Sequence, residues 1–159
     1  MISVLFICLG NICRSPLAEA VFRAVVTEEG LEDRFRIDSA GTSGYHVGEP
    51  PDRRTSDVAA RRGVMVDGSS RKINREDADS FHYLIVMDAE NLKNVRRLVQ
   101  GSNGRAEVRL FREFDPEAGD DLDVPDPYFG GADGFEVVHD LVERSARGLL
   151  EHIRERHEL

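Results

Sequence analysis

The run Val4-Leu5-Phe6-Ile7 has no polar residue, and a few positions later the segment Leu17 to Val26 shows an amphipathic, helical pattern. The first reads as a buried strand and the second as a helix. Between them Cys8-Leu-Gly-Asn-Ile-Cys-Arg14-Ser15-Pro16 leaves room only for a tight loop. A strand, a tight loop and a helix start make an anion site, because the unpaired amides converge with the positive end of the helix dipole behind them. We expect Ser15 at the helix N-cap and Pro16 at the first helical position. The backbone of Leu9, Gly10, Asn11, Ile12, Cys13, Arg14 and Ser15 would then cradle a doubly charged oxyanion such as phosphate.

Two side chains turn the cradle into a candidate active site. Cys8 would leave the strand pointing inward, where amide dipoles and Arg14 favour a thiolate nucleophile. Arg14 offers a planar, two-pronged donor matched to the equatorial oxygens of a phosphoryl group, which Lys supplies less well. Gly10 is expected to provide the backbone freedom of the tight wrap, and Asn11 a left-handed residue whose amide braces the loop.

These residues resemble the Cys-x5-Arg-Ser signature of cysteine-dependent phosphatases, and CLGNICRSP near the start of the chain resembles the low-molecular-weight protein tyrosine phosphatase family. The likeness continues through Asp38-Ser-Ala-Gly-Thr-Ser-Gly44, Gly48-Glu-Pro-Pro51 and Asp126-Pro-Tyr-Phe129. It implies metal-independent hydrolysis of phosphotyrosine in proteins, without a cofactor and with inorganic phosphate as product and inhibitor. Cys8 would form a phosphocysteine, Arg14 stabilise the transition state, and Asp126 act first as general acid and then as base. On residue type alone, Asp126 in its proline-rich loop reads as a turn former. The resemblance gives Asn11, Ser15 and Ser39 a support role, against a plain turn serine at position 39. Tyr45, His46, Tyr128 and Phe129 would wall a cleft suited to a flat phenyl phosphate, against a solvated His46 and a packing role for Phe129. Cys13 would pair with Cys8 under oxidation, making the site redox-sensitive.

Composition narrows the partners. With 21 Lys and Arg against 30 Asp and Glu, the net charge is −9, which disfavours nucleic acid and anionic membranes. No apolar run reaches the roughly 18 residues of a bilayer span, and the N-terminus lacks the pattern of a signal peptide. Two cysteines within one loop cannot frame an extracellular fold, so a reducing cytoplasm is expected. His46, His82, His139, His152 and His157 lack metal-ligand spacing, and no nucleotide-binding motif is present. We expect a single domain over residues 1–159, as a monomer or weak homodimer.

Further strands are expected at Phe35–Ser39, Tyr83–Met87 and Ala106–Phe111, with helices at Arg53–Arg62, after Asp88 and from Phe135, and a short turn near Arg75–Asp79. This alternation implies a flavodoxin-like α/β domain, the phosphotyrosine phosphatase I-like arrangement: a four-stranded parallel sheet with helices on both faces and the ligand beyond the strands' carboxyl ends. Arg53, Arg54, Arg61 and Arg62 read as a solvated face, Asp120, Asp121 and Asp123 as loop-hydrating acids, and the charged C-terminal tail as frayed. Three rival readings are weighed. Arsenate reductases would need further cysteines within residues 80–95, which hold none. Protein-arginine phosphatases resemble CTGNTCRSP, with Thr where Ile12 stands here. A non-catalytic phosphate module would need neither Cys8 nor Asp126.

Overall fold

In the computed structural model, which describes every residue except Asn103, Gly130, Ala132 and the side chain of Phe129, strand β1 (Ile2–Cys8) is buried along its whole length. Val4 and Phe6 face one helical layer and Leu5 and Ile7 the other, because successive side chains of a strand point to opposite faces. Parallel strands β2 (Phe35–Gly41), β3 (Tyr83–Val86) and β4 (Glu107–Leu110) complete one sheet in the order β2-β1-β3-β4. Helices α1 (Arg14–Glu28) and α5 (Gly134–His157) cover the first face, with α2 (Arg53–Arg61) at its margin. The short α3 (Asp77–Ser80) and α4 (Ala89–Val99) cover the second. The first layer is keyed by edge-to-face aromatic contacts, with the Phe6 centroid 5.5 Å from Phe22 and 5.2 Å from Phe111.

The chain leaves β1 toward β2 in one direction and leaves β3 toward β4 in the other. The strand order therefore reverses between β1 and β3, and a crevice opens beyond their carboxyl ends. Cys8 ends β1, and Asp88 follows β3 after a single residue.

Several expectations change. Helix α1 begins at Arg14 after Cys13, so Ser15 and Pro16 lie inside its first turn and Ser15 is not the cap. The Ser15 hydroxyl is instead drawn inward by Cys8, Asn11 and Ala40. Pro16 is tolerated there because first-turn N–H groups have no intrahelical acceptor. Strand β2 runs on to Gly41, where a Cβ would stand 2.8 Å from the Leu9 carbonyl; glycine is what lets β2 approach the loop. The tail does not fray: Ile153 is buried, His157 meets the Tyr83 hydroxyl at 2.8 Å, and Leu159 packs on the core. The basic face divides. Arg61 and Arg62 tie α2 to Glu136 and Asp140 of α5, Arg54 lies over the Tyr128 and Phe135 rings, and Arg53 reaches Asp57, while Arg53, Arg54 and Arg61 all stay largely in water. Asp123 accepts from the Ala89 N–H at the start of α4, so it does more than hydrate its loop.

Candidate active site

Residues 8–15 are wrapped by the frame around them. The carbonyl of Cys8 accepts from Thr42, Leu9 from Ser43, Gly10 from the Ser70 hydroxyl, Ile12 from Asp52 and Cys13 from Leu17. All five oxygens therefore point out of the loop. In a planar trans peptide the N–H lies opposite the carbonyl, so the amides of Leu9, Gly10, Asn11, Cys13 and Arg14 turn inward. The Asn11 N–H lies 3.3 Å from the Cys8 sulfur, and the Ser15 hydroxyl 3.0 Å from it. The Asn11 amide and the Ser15 hydroxyl therefore both meet that sulfur from inside the loop.

Asn11 takes the left-handed conformation, φ 56, while Gly10 has no positive φ. Gly10 contributes space instead: a Cβ there would come 3.0 Å from the His46 ring. The Asn11 amide donates to Ser15 at 2.7 Å and to Ser39 at 3.0 Å, and its oxygen accepts from the Arg71 N–H at 3.0 Å. Ser39 in turn donates to Glu19 at 2.7 Å. Asn11 is buried, so these bonds satisfy its polar atoms and lock the turn.

Arg14 is buried under the loop. Its Nη1 donates to Asp88 at 2.6 Å and to the Val124 carbonyl at 3.0 Å, and its Nη2 stands 3.5 Å from Asp126. Burial opposes the guanidinium charge, but the Cys8 sulfur, Asp88 and Asp126 outweigh it and hold Arg14 protonated more firmly than in water. Asp126 is thereby brought to the same cavity as Cys8, across more than a hundred residues of chain.

That cavity, of about 270 Å³, has Cys8 and Arg14 at its lining, and Tyr45, His46 and Tyr128 also border it. Tyr45 is almost fully exposed and Tyr128 about half, so both stand at the rim. His46 is held by Glu49 at 2.7 Å. The side chain of Phe129, also expected here, lies outside the described structure. Cys13 packs with Val58 and Phe135; burial, with Asp52 next, pushes its thiol up to about 12. Leu9 is exposed at the lip, and Ile12 packs against the Cys13 cluster.

Reasoning from sequence missed Asp88, Glu19, Ser43, Ser70 and Arg71. For Asp88 the signal was its place directly after a buried strand, where switch-point sheets bind ligands; it reads equally as the cap of α4, and its other oxygen does accept from Asn91 at 2.8 Å. Ser70 and Arg71 sit in a polar, aperiodic stretch without local signal.

A parallel α/β sheet with a cysteine and an arginine on one loop at its carboxyl end defines the class, an α/β protein whose candidate site is centred on a thiol. The family model for low molecular weight phosphotyrosine protein phosphatase matches residues 3–159. A low molecular weight protein-tyrosine-phosphatase of Streptomyces coelicolor is 48% identical over 153 residues, 96% of this chain and 93% of that protein. A protein tyrosine phosphatase structure from Entamoeba histolytica with Hepes in the active site superposes with a TM-score of 0.92 at 35% identity, covering 100% of both chains. The structure of a Drosophila arginine phosphatase gives 0.88 at 29% identity, covering 95% of this chain and 97% of that one. The chain belongs to the low molecular weight phosphotyrosine protein phosphatase family.

Proposed function

We propose that this protein hydrolyses phosphotyrosine in proteins through a phosphocysteine intermediate. The observation that carries the reading is the meeting of Cys8, Arg14 and Asp126 at one cavity, with the loop amides turned inward. The Cys8 thiolate attacks phosphorus in line, the bond to the tyrosyl oxygen breaks, and the Asp126 carboxylic acid gives that oxygen its proton. Water then attacks phosphorus, the P–S bond breaks, and the Asp126 carboxylate takes the proton. Orthophosphate leaves and the thiolate is restored. Arg14 and the amides stabilise charge on the three equatorial oxygens throughout. The cycle uses no metal, and orthophosphate competes with substrate for the cradle.

Tyr45 and Tyr128 at the rim above a floor of backbone amides favour a flat phenyl ester long enough to bring phosphorus to the thiolate. The arginine phosphatase neighbour supports a second reading, phosphoarginine hydrolysis. Ile12 argues against it, since its packed hydrocarbon supplies no hydroxyl to the intermediate. Under peroxide, Cys8 and Cys13 would lose two hydrogens to form a disulfide and water, guarding Cys8 from further oxidation. The setting is read as a reducing cytoplasm because two cysteines confined to one loop cannot frame an extracellular fold.

Rapid mixing with p-nitrophenyl phosphate in EDTA tests the core of this reading. A burst of about one equivalent of p-nitrophenol, absent in Cys8→Ser, is expected; no release, or release untouched by Cys8→Ser, would overturn it. Faster turnover of phosphoarginine than of phosphotyrosine peptides would replace it with the second reading.

A further inference from the structure

Under the loop that carries Asp126 lies a buried charge group with no part in the cycle above. The Asp115 side chain is wholly removed from solvent and that of Arg112 nearly so. Asp115 accepts from Arg112 Nε at 3.4 Å, from Arg144 Nε and Nη2 at 3.1 and 3.3 Å, and from the Glu117 N–H at 2.9 Å. Arg112 turns its Nη1 to the Asp123 carbonyl at 3.1 Å. The adjoining Val124 is held on both sides, its N–H by the Met87 carbonyl at 2.7 Å and its carbonyl by Arg14 at 3.0 Å. Pro125 and Pro127 then flank Asp126 and restrict the backbone on either side of it. The Asp126 carboxylate accepts from the Tyr128 N–H at 3.0 Å and from Arg14 at 3.5 Å, and the backbone that carries it there continues from residues 123 and 124.

Buried ion groups of this kind contribute little net stability, because desolvation offsets their attraction. Placement is what this one supplies. We propose that Arg112 is a positioning residue for proton transfer to the leaving group: anchored by Asp115, it holds the Asp123 carbonyl and so sets Asp126. The inference rests on the reading of Asp126 as general acid.

The test is the dependence of kcat/KM on leaving-group basicity across a series of aryl phosphates, from p-nitrophenyl phosphate to phenyl phosphate. Arg112→Met should lower kcat/KM for phenyl phosphate on the order of tenfold and leave p-nitrophenyl phosphate nearly unchanged, as misplacement of a catalytic group does. Asp115 keeps Arg144 and the Glu117 amide in that variant. Arg112→Lys, whose single ammonium cannot span Asp115, the Asp123 carbonyl and Asp121 together, should act in the same direction with smaller size. Arg144→Met is the matched control: it removes a partner of the same Asp115 from the α5 side and should lower stability without changing the slope. In an Asp126→Asn background, Arg112→Met should have no further effect on phenyl phosphate. A uniform loss across the series, the same slope in Arg144→Met, or multiplied losses in the double variant would overturn the proposal. An unchanged slope in Asp126→Asn alone would strike the general-acid reading itself, and the inference would fall with it.

Discussion

Replacing Asp88 by Asn isolates what the carboxylate does for Arg14. One oxygen of Asp88 accepts from Arg14 at 2.6 Å and the other from the Asn91 N–H at 2.8 Å. An amide has one oxygen, so Asn must abandon one of the two donors or turn its own NH2 toward it. Hydrogen bonds to charged groups are worth about 1.5–3 kcal/mol, and the 22% exposure of the Asp88 side chain lowers the expected loss to about 1–2 kcal/mol. Arg14 keeps the Val124 carbonyl, so the protein should still fold. Its guanidinium then has one fixed direction fewer, and kcat should fall on the order of tenfold, equivalent to about 1.4 kcal/mol of barrier. Ground-state anion binding should not weaken, because the substitution removes a negative charge beside the cavity. Urea unfolding, steady-state kinetics and inhibition by orthophosphate read these quantities separately. An unchanged kcat, or an inhibition constant rising in step with the loss of kcat, would refute the orienting role. Asp88→Ala should cost about 1 kcal/mol more, through the lost cap of α4.

A methyl group at Gly148 would overlap the Phe114 carbonyl; Gly148→Ala should therefore lower the urea midpoint, since overpacking costs about 1–3 kcal/mol against at most about 1 kcal/mol of helix propensity, and a raised midpoint would refute the packing. Burial, then Arg62, hold the His139 imidazole below its ordinary pKa, and its buried Nδ1 finds no hydrogen-bond partner among the described residues. Below about pH 6.5 the unfolded chain then binds a proton that the folded one does not, so stability present above that pH is lost as pH falls. His139→Leu should flatten the decline of Tm on acidification, and an equal decline in both proteins would contradict this. Because burial and Asp52 keep Cys13 protonated, iodoacetate near neutral pH should alkylate Cys8 and spare Cys13, as peptide mass mapping would show; equal labelling would refute it.

The chemistry-bearing stretch was legible because it is continuous. Cys8, Asn11 and Arg14 lie on one loop whose geometry follows from a buried strand before it and a helix after it, both local properties of the chain. The alternation of apolar runs with helical patterns likewise implied a parallel sheet with its ligand end beside Cys8. What the chain could not declare locally is which distant polar groups meet the loop. Ser70 and Arg71 reach it from 60 residues away and Asp88 from 74, and nothing near them in sequence marks that meeting. Even Ser15, in the loop itself, was misjudged as a helix cap, because three buried partners compete for its hydroxyl more strongly than the helix amides. Residue types and short-range periodicity determined the thiol-bearing loop, its frame of strand and helix, and the class of fold. The orientation of Arg14 and the placement of Asp126 were decided by tertiary structure, since a buried charge takes its direction from the partners that folding brings within a hydrogen bond.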